Sequence, residues 1–136
     1  MFVSSTKPKH RRRGSATVEL AICLPLITLL SLSAIEISSK IFLQETLTQA
    51  AYEGALVAAR QGGTSAKAQA NAAAVLNSRN VKNFSISFSR DVATTVPGTQ
   101  ISITITAPVA NNSLIPGQLY PRTNLNSTLT FVKEAL

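Results

Sequence analysis

Residues 16–35 read ATVELAICLPLITLLSLSAI, twenty positions whose only charge is Glu19. About twenty apolar residues are what a helix needs to cross a bilayer, so the stretch predicts a membrane span or a secretory signal. Arg11, Arg12 and Arg13 precede it, whereas Glu36 and Lys40 follow it. That asymmetry predicts a cytoplasmic amino end and export of the rest of the chain.

Working outward, five of the 13 Lys and Arg residues (Lys7, Lys9, Arg11, Arg12, Arg13) lie in the amino-terminal tail. The eight that remain face six acids, so the rest of the 136-residue chain carries only +2. Nucleic-acid binding needs basic side chains spread along a face, and this excess is confined to one tail. No nucleic-acid partner is expected. Cys23 is the only cysteine and His10 the only histidine, which leaves no disulfide framework and no metal-ligand set. Without an imidazole or thiol outside these two segments the catalytic inventory is thin, so neither enzyme activity nor a cofactor or metal is expected.

Beyond the apolar run the periodicity stays helical. Leu43, Leu47, Ala50, Ala51, Gly54, Val57 and Ala58 form one stripe, with Glu45, Gln49, Glu53 and Arg60 on the other side. A helix from Ser15 to about Arg60 is therefore predicted, about 69 Å long at 1.5 Å per residue. Pro25 removes one backbone bond and should kink or locally unwind it. Glu36 and Lys40 have the favourable i to i+4 order. The domain division expected is a basic leader at 1–14, a long helix at 15–62 (15–35 in the membrane, 36–62 amphipathic) and an exported α+β domain at 63–136.

In that domain, Gly62 and Gly63 end the long helix, and Thr64 or Ser65 caps a second, Ala-rich helix over 66–76 with stop signals at Asn77 to Asn80. The period then changes to two: Phe84, Ile86 and Phe88; Ile101, Ile103 and Ile105; Leu129 and Phe131, each alternating with Ser or Thr. Three strands follow, the first two antiparallel, with Pro97 and Gly98 in a type II turn. The expected fold is α+β, a small antiparallel sheet laid on the long helix with Phe84, Phe88, Ile103, Leu129 and Phe131 buried against Leu43 and Leu47. Residues 107–124 read as a long connection in which Leu114, Ile115, Leu119 and Tyr120 offer either a partner surface or a cap for the sheet edge.

Glu19 is the anomaly. A carboxylate at membrane depth costs about 2.5 to 3.5 kcal/mol, so it needs a cation at its level or a place in the interface among headgroups and water. A free α-amine made by proteolysis just upstream, on another chain, would serve. Three processing schemes remain open from the residues: a signal-peptidase cut before Ala34, an uncut membrane tether, or a cut upstream of the apolar run.

The string Arg11, Arg12, Arg13, Gly14, Ser15, Ala16, Thr17, Val18, Glu19, running straight into the apolar segment, resembles a class III (type IV) prepilin leader. RRRGSATVELAICLPLITLLSLSAIEI is similar, more narrowly, to the start of TadE-like pseudopilins of the tight-adherence (Tad/Flp) pilus machinery. The resemblance implies cleavage between Gly14 and Ser15 by a prepilin peptidase, with Arg11 to Arg13 as the leader's basic cluster. It implies Glu19 as the acid that pairs with a neighbouring subunit's terminal amine and sets register. Partners would be other pilins or pseudopilins and the assembly platform of the bacterial inner membrane, in which the chain would sit as a single-pass protein with its carboxyl-terminal domain in the periplasm. The rival function is a secreted or tethered periplasmic binding or scaffold module.

Overall fold

The computed structural model describes residues 13–114 and 123–134. Arg11 and Arg12 lie outside them, as do Ile115, Leu119 and Tyr120. The chain divides into two compact units, residues 1–34 and Ile35–Leu136.

The described part of the first unit is the amino-terminal portion of α1, a helix whose bounds are Arg13–Ala59. It continues through Pro25 as α-helix, so of the two expected effects, a kink or a local unwinding, the second does not occur. Every side chain from Gly14 to Ile35 is exposed, including Val18, Leu20, Ile22 and the leucines that follow. The hydroxyls in this run satisfy themselves: Thr28, Ser31 and Ser33 donate to the carbonyls of Leu24, Ile27 and Leu29 at 2.8 to 2.9 Å. A polar group bonded to its own helix carries little penalty in lipid, so Ser and Thr do not break the apolar character.

The second unit is built on the rest of α1. Of the predicted stripe Leu43, Leu47, Ala50, Ala51, Gly54 and Ala58 are buried and Val57 is half-buried, and Ala55 joins them. The helix ends through Gly62 at φ +70, a conformation that costs a side chain but not glycine, and Gly63 closes the turn on the Arg60 carbonyl at 2.9 Å. α2 (Ser65–Ser78) starts at Thr64, whose hydroxyl accepts from the Lys67 N–H at 3.2 Å. It stops in a Schellman motif: Val81 N–H bonds to Leu76 C=O and Asn80 N–H to Asn77 C=O, with Asn80 left-handed at φ 56. Val81 and Leu76, the residues such a motif brings together, both belong to the core.

β1 (Ser85–Phe88), β2 (Gln100–Pro108) and β3 (Asn124–Val132) form one antiparallel sheet in the order β1-β2-β3. Ile101, Ile103 and Ile105 of central β2 are fully buried. Phe84, Phe88, Leu129 and Phe131 are only half-buried, short of the expectation, because β1 and β3 are edges. The opposite face is a hydroxyl ladder, with Ser102 to Thr130 and Thr104 to Thr128 both at 2.9 Å. The predicted turn is present: Thr99 N–H bonds to Val96 C=O across Pro97 and Gly98, the latter at φ +81.

The 107–124 connection is shorter than the sequence suggests. Ala107 and Pro108 continue β2, paired with Leu125 and Asn124, and Val109–Asn112 make a helical turn, α3. Ala107 and Val109 are buried, so the start of this stretch is core and not loop. The Asn112 side chain fixes it by bonding both backbone groups of Lys82, at 2.7 and 3.0 Å.

Asp91 ties the 91–99 connection to α2. The Ser65 hydroxyl donates to its carboxylate at 2.8 Å and the Ala93 N–H at 3.2 Å, and these bonds, with the Lys133 charge, hold its pKa below the usual carboxylate range. A depressed folded-state pKa adds stability that is complete above the unfolded carboxylate's pKa and disappears as pH falls through the folded one. Thermal unfolding followed from pH 6 to pH 2 should therefore show an acid loss of stability that is smaller in Asp91→Asn than in the wild type.

Candidate functional site at the amino-terminal helix

Gly14, Ser15 and Glu19 all fall in the first two turns of α1 and all are exposed. The Ser15 hydroxyl donates to Glu19 Oε1 at 2.9 Å, one turn away. Side chains on a helix lean toward its amino end, so Glu19 reaches back to Ser15, and the carboxylate is held against the residue that follows the Gly14–Ser15 bond. Both residues of that bond lie within the described part of α1. Arg13 contributes its backbone to the site; its side chain, like the whole of Arg11 and Arg12, lies outside the described structure.

The described glycines separate into those the fold uses and one it does not. Gly62 and Gly98 have positive φ. A Cβ on Gly54 would lie 2.8 Å from Ile103 Cδ1, and one on Gly63 2.5 Å from two carbonyl oxygens. At Gly14 a Cβ would meet nothing within 4 Å, and the backbone is ordinary helix, where glycine costs about 1 kcal/mol relative to alanine.

Two features of the second unit were not legible in the sequence. Glu36, read only as a surface partner along the helix, is buried at 5 % exposure and accepts the Ser113 hydroxyl on both oxygens, at 2.7 and 2.8 Å. No periodicity links positions 77 residues apart. A shallow groove of about 440 Å³ lies between Gln44, Glu45, Thr48, Gln49 and Tyr52 of α1 and Leu129 of β3. Among the described residues no three His, Cys, Asp or Glu side chains converge.

One helix near the amino end is long and apolar enough to cross a membrane, its apolar run is exposed, and the domain that follows is small and α+β. These features fit a membrane-anchored protein. Residues 14–56 match the family model described as TadE-like protein, so over this segment the chain is similar to that family. The match opens at Gly14 and extends past Ala34. No curated protein and no solved structure gives a significant match.

Proposed function

We propose that the protein is a minor pilin-like subunit, a pseudopilin, cleaved between Gly14 and Ser15 by a prepilin peptidase and taking part in assembly of a Tad/Flp pilus at the inner membrane. The observation that carries this reading is Gly14. It is the one described glycine that neither conformation nor packing requires, and it stands where the family match begins. A glycine that costs its helix stability and fills no tight space is accounted for by something that approaches from outside, as a peptidase would. Its low helix propensity also helps the helix open at that point, so that the bond can be presented extended.

In this reading the exposed apolar half of α1 enters a bundle with other pilins or pseudopilins, and Glu19 receives the amine of a neighbour's first residue. The α+β domain stays outside the membrane and presents contacts. The role is structural, with no catalytic step assigned to the chain.

Intact-mass analysis of the protein from bacterial membranes is expected to give a chain beginning at Ser15. Gly14→Phe should keep the leader, and Gly14→Ala should fold like the wild type because its added methyl meets open space. A chain beginning at Ala34, or one with the leader intact in the wild type, would overturn the proposal.

A further inference from the structure

In an antiparallel ladder, residues that exchange bonds with the neighbouring strand alternate with residues whose N–H and C=O point away from it. Val109 N–H bonds to Thr123 C=O at 2.9 Å and continues the β2–β3 register, so the odd-numbered residues of β3 face β2. Ser89 N–H to Ser102 C=O shows that the even-numbered residues of β2 bond to β1, as the alternation requires. Asn126, Thr128 and Thr130 therefore turn their backbone groups to the open side of β3.

That side is closed at two points. Gln44 Nε2 donates to the Asn126 carbonyl at 3.0 Å, and Glu134 N–H donates to the Ala59 carbonyl at 3.1 Å. Between them, no protein group among the described residues bonds the outward N–H and C=O of Thr128 or Thr130. Natural sheets guard such edges with lysine, proline, other charges or bulges. NLNSTLTFV, residues 124–132, carries no charge and no proline, and its pairing with β2 is continuous. The groove lies beside this edge, with Tyr52 and half-buried Leu129 as its apolar surface and Glu45 as the only charge among the described residues that line it.

We propose that β3 receives an extended strand from a different polypeptide. Its backbone pairs with Thr128 and Thr130, an apolar side chain enters the groove over Tyr52 and Leu129, and a Lys or Arg of the same strand meets Glu45. Unpaired backbone donors and acceptors at strand spacing select an extended chain over a helix or a lipid. The lone carboxylate selects its charge. A second copy docking β3 against β3 would bring no charge to meet Glu45, since residues 124–132 carry none. The inference does not depend on leader processing.

The test uses the full chain in its own membrane, with the photo-cross-linker p-benzoylphenylalanine replacing exposed Tyr52 and the cross-linked peptide mapped by mass spectrometry. The expected product joins Tyr52's position to one segment of another protein that is apolar at alternate residues and carries a basic side chain. Thr128→Pro removes an outward donor and no backbone bond to β2, and the Thr104 hydroxyl contact it loses is lost equally in Thr128→Val, so the proline variant should lower the yield about tenfold while the valine variant should not. Glu45→Lys should lower the yield in a chain whose strands are untouched, which keeps the test decisive if the proline variant folds poorly. Cross-links to lipid alone, to a second copy, to a helical segment or back into the same chain would overturn the proposal, as would an absent cross-link or a yield indifferent to both variants.

Discussion

Glu19→Ala is expected to be cleaved at the same bond as the wild type, to accumulate in the membrane, and to fall at least about tenfold in the pilus fraction. The step from residues to result is electrostatic. Glu19 is the only charge among the twenty residues of the apolar run, and in the folded chain it accepts the Ser15 hydroxyl, 2.9 Å away. One neutral donor offsets part of the cost of a carboxylate near lipid, which is about 2.5 to 3.5 kcal/mol at mid-depth. An ammonium at hydrogen-bond distance offsets far more, because an ion pair strengthens as water is excluded. On the proposed pairing, removing the acid would leave the neighbour's amine as the uncompensated charge, and breaking one half of a buried pair costs about 3–5 kcal/mol. Glu19→Gln separates charge from shape: it still accepts the Ser15 hydroxyl, so a pilus defect equal to that of Glu19→Ala assigns the role to charge. Immunoblots of sheared pili against membranes give the measurement. Normal incorporation of both variants would remove Glu19 from assembly while leaving the Ser15 start to be judged separately by mass.

The elements with a strong period were readable in advance, and the reasons are local. The stripe from Leu43 to Ala58 and the alternation through Ile101, Ile103 and Ile105 each record one face of one element, and both faces are buried apart from half-buried Val57. Thr64 and Asn80 are cap residues whose side-chain or left-handed chemistry acts over three or four neighbours, so a sequence displays them. Glu36 with Ser113, and Lys133 with the carbonyls of Val92 and Thr95 at 2.7 and 3.0 Å, depend on chain segments dozens of residues apart. Ala107 and Val109 were missed for a different reason. Pro108 between them reads as loop, yet a proline at the end of a strand is tolerated there. At the amino-terminal site the apolar run, Gly14 and Glu19 were visible. What the sequence could not show is that Gly14 has empty space around it while Gly54 has none.

That contrast sets the second large effect. Gly54→Leu is expected to destabilise the α+β domain by about 3 kcal/mol or more, whereas Gly54→Ala should change it far less and Gly14→Ala not at all. At Gly54, α1 meets both α2 and β2. A Cβ there would stand 2.8 Å from Ile103 Cδ1, 3.2 Å from Ala72 Cβ and 3.3 Å from the Ala68 carbonyl. The first contact can yield by rotating a side chain, although Ile103 is itself fully buried. The other two are a methyl on a helix backbone and the backbone itself, and they can yield only if α2 moves. For alanine the clash is offset in part by the helix propensity gained over glycine, about 1 kcal/mol. Leucine adds three more carbons in a core packed at crystal density, where overpacking costs typically 1–3 kcal/mol and more when backbone must shift. A domain of this size is stable by roughly 5–15 kcal/mol, so the loss should appear as a clear fall in the denaturant midpoint. Denaturant unfolding of the full chain in detergent, followed by the far-ultraviolet signal of the sheet and α2, makes the comparison. A Gly54→Leu protein as stable as the wild type would show that the two helices do not pack through this glycine.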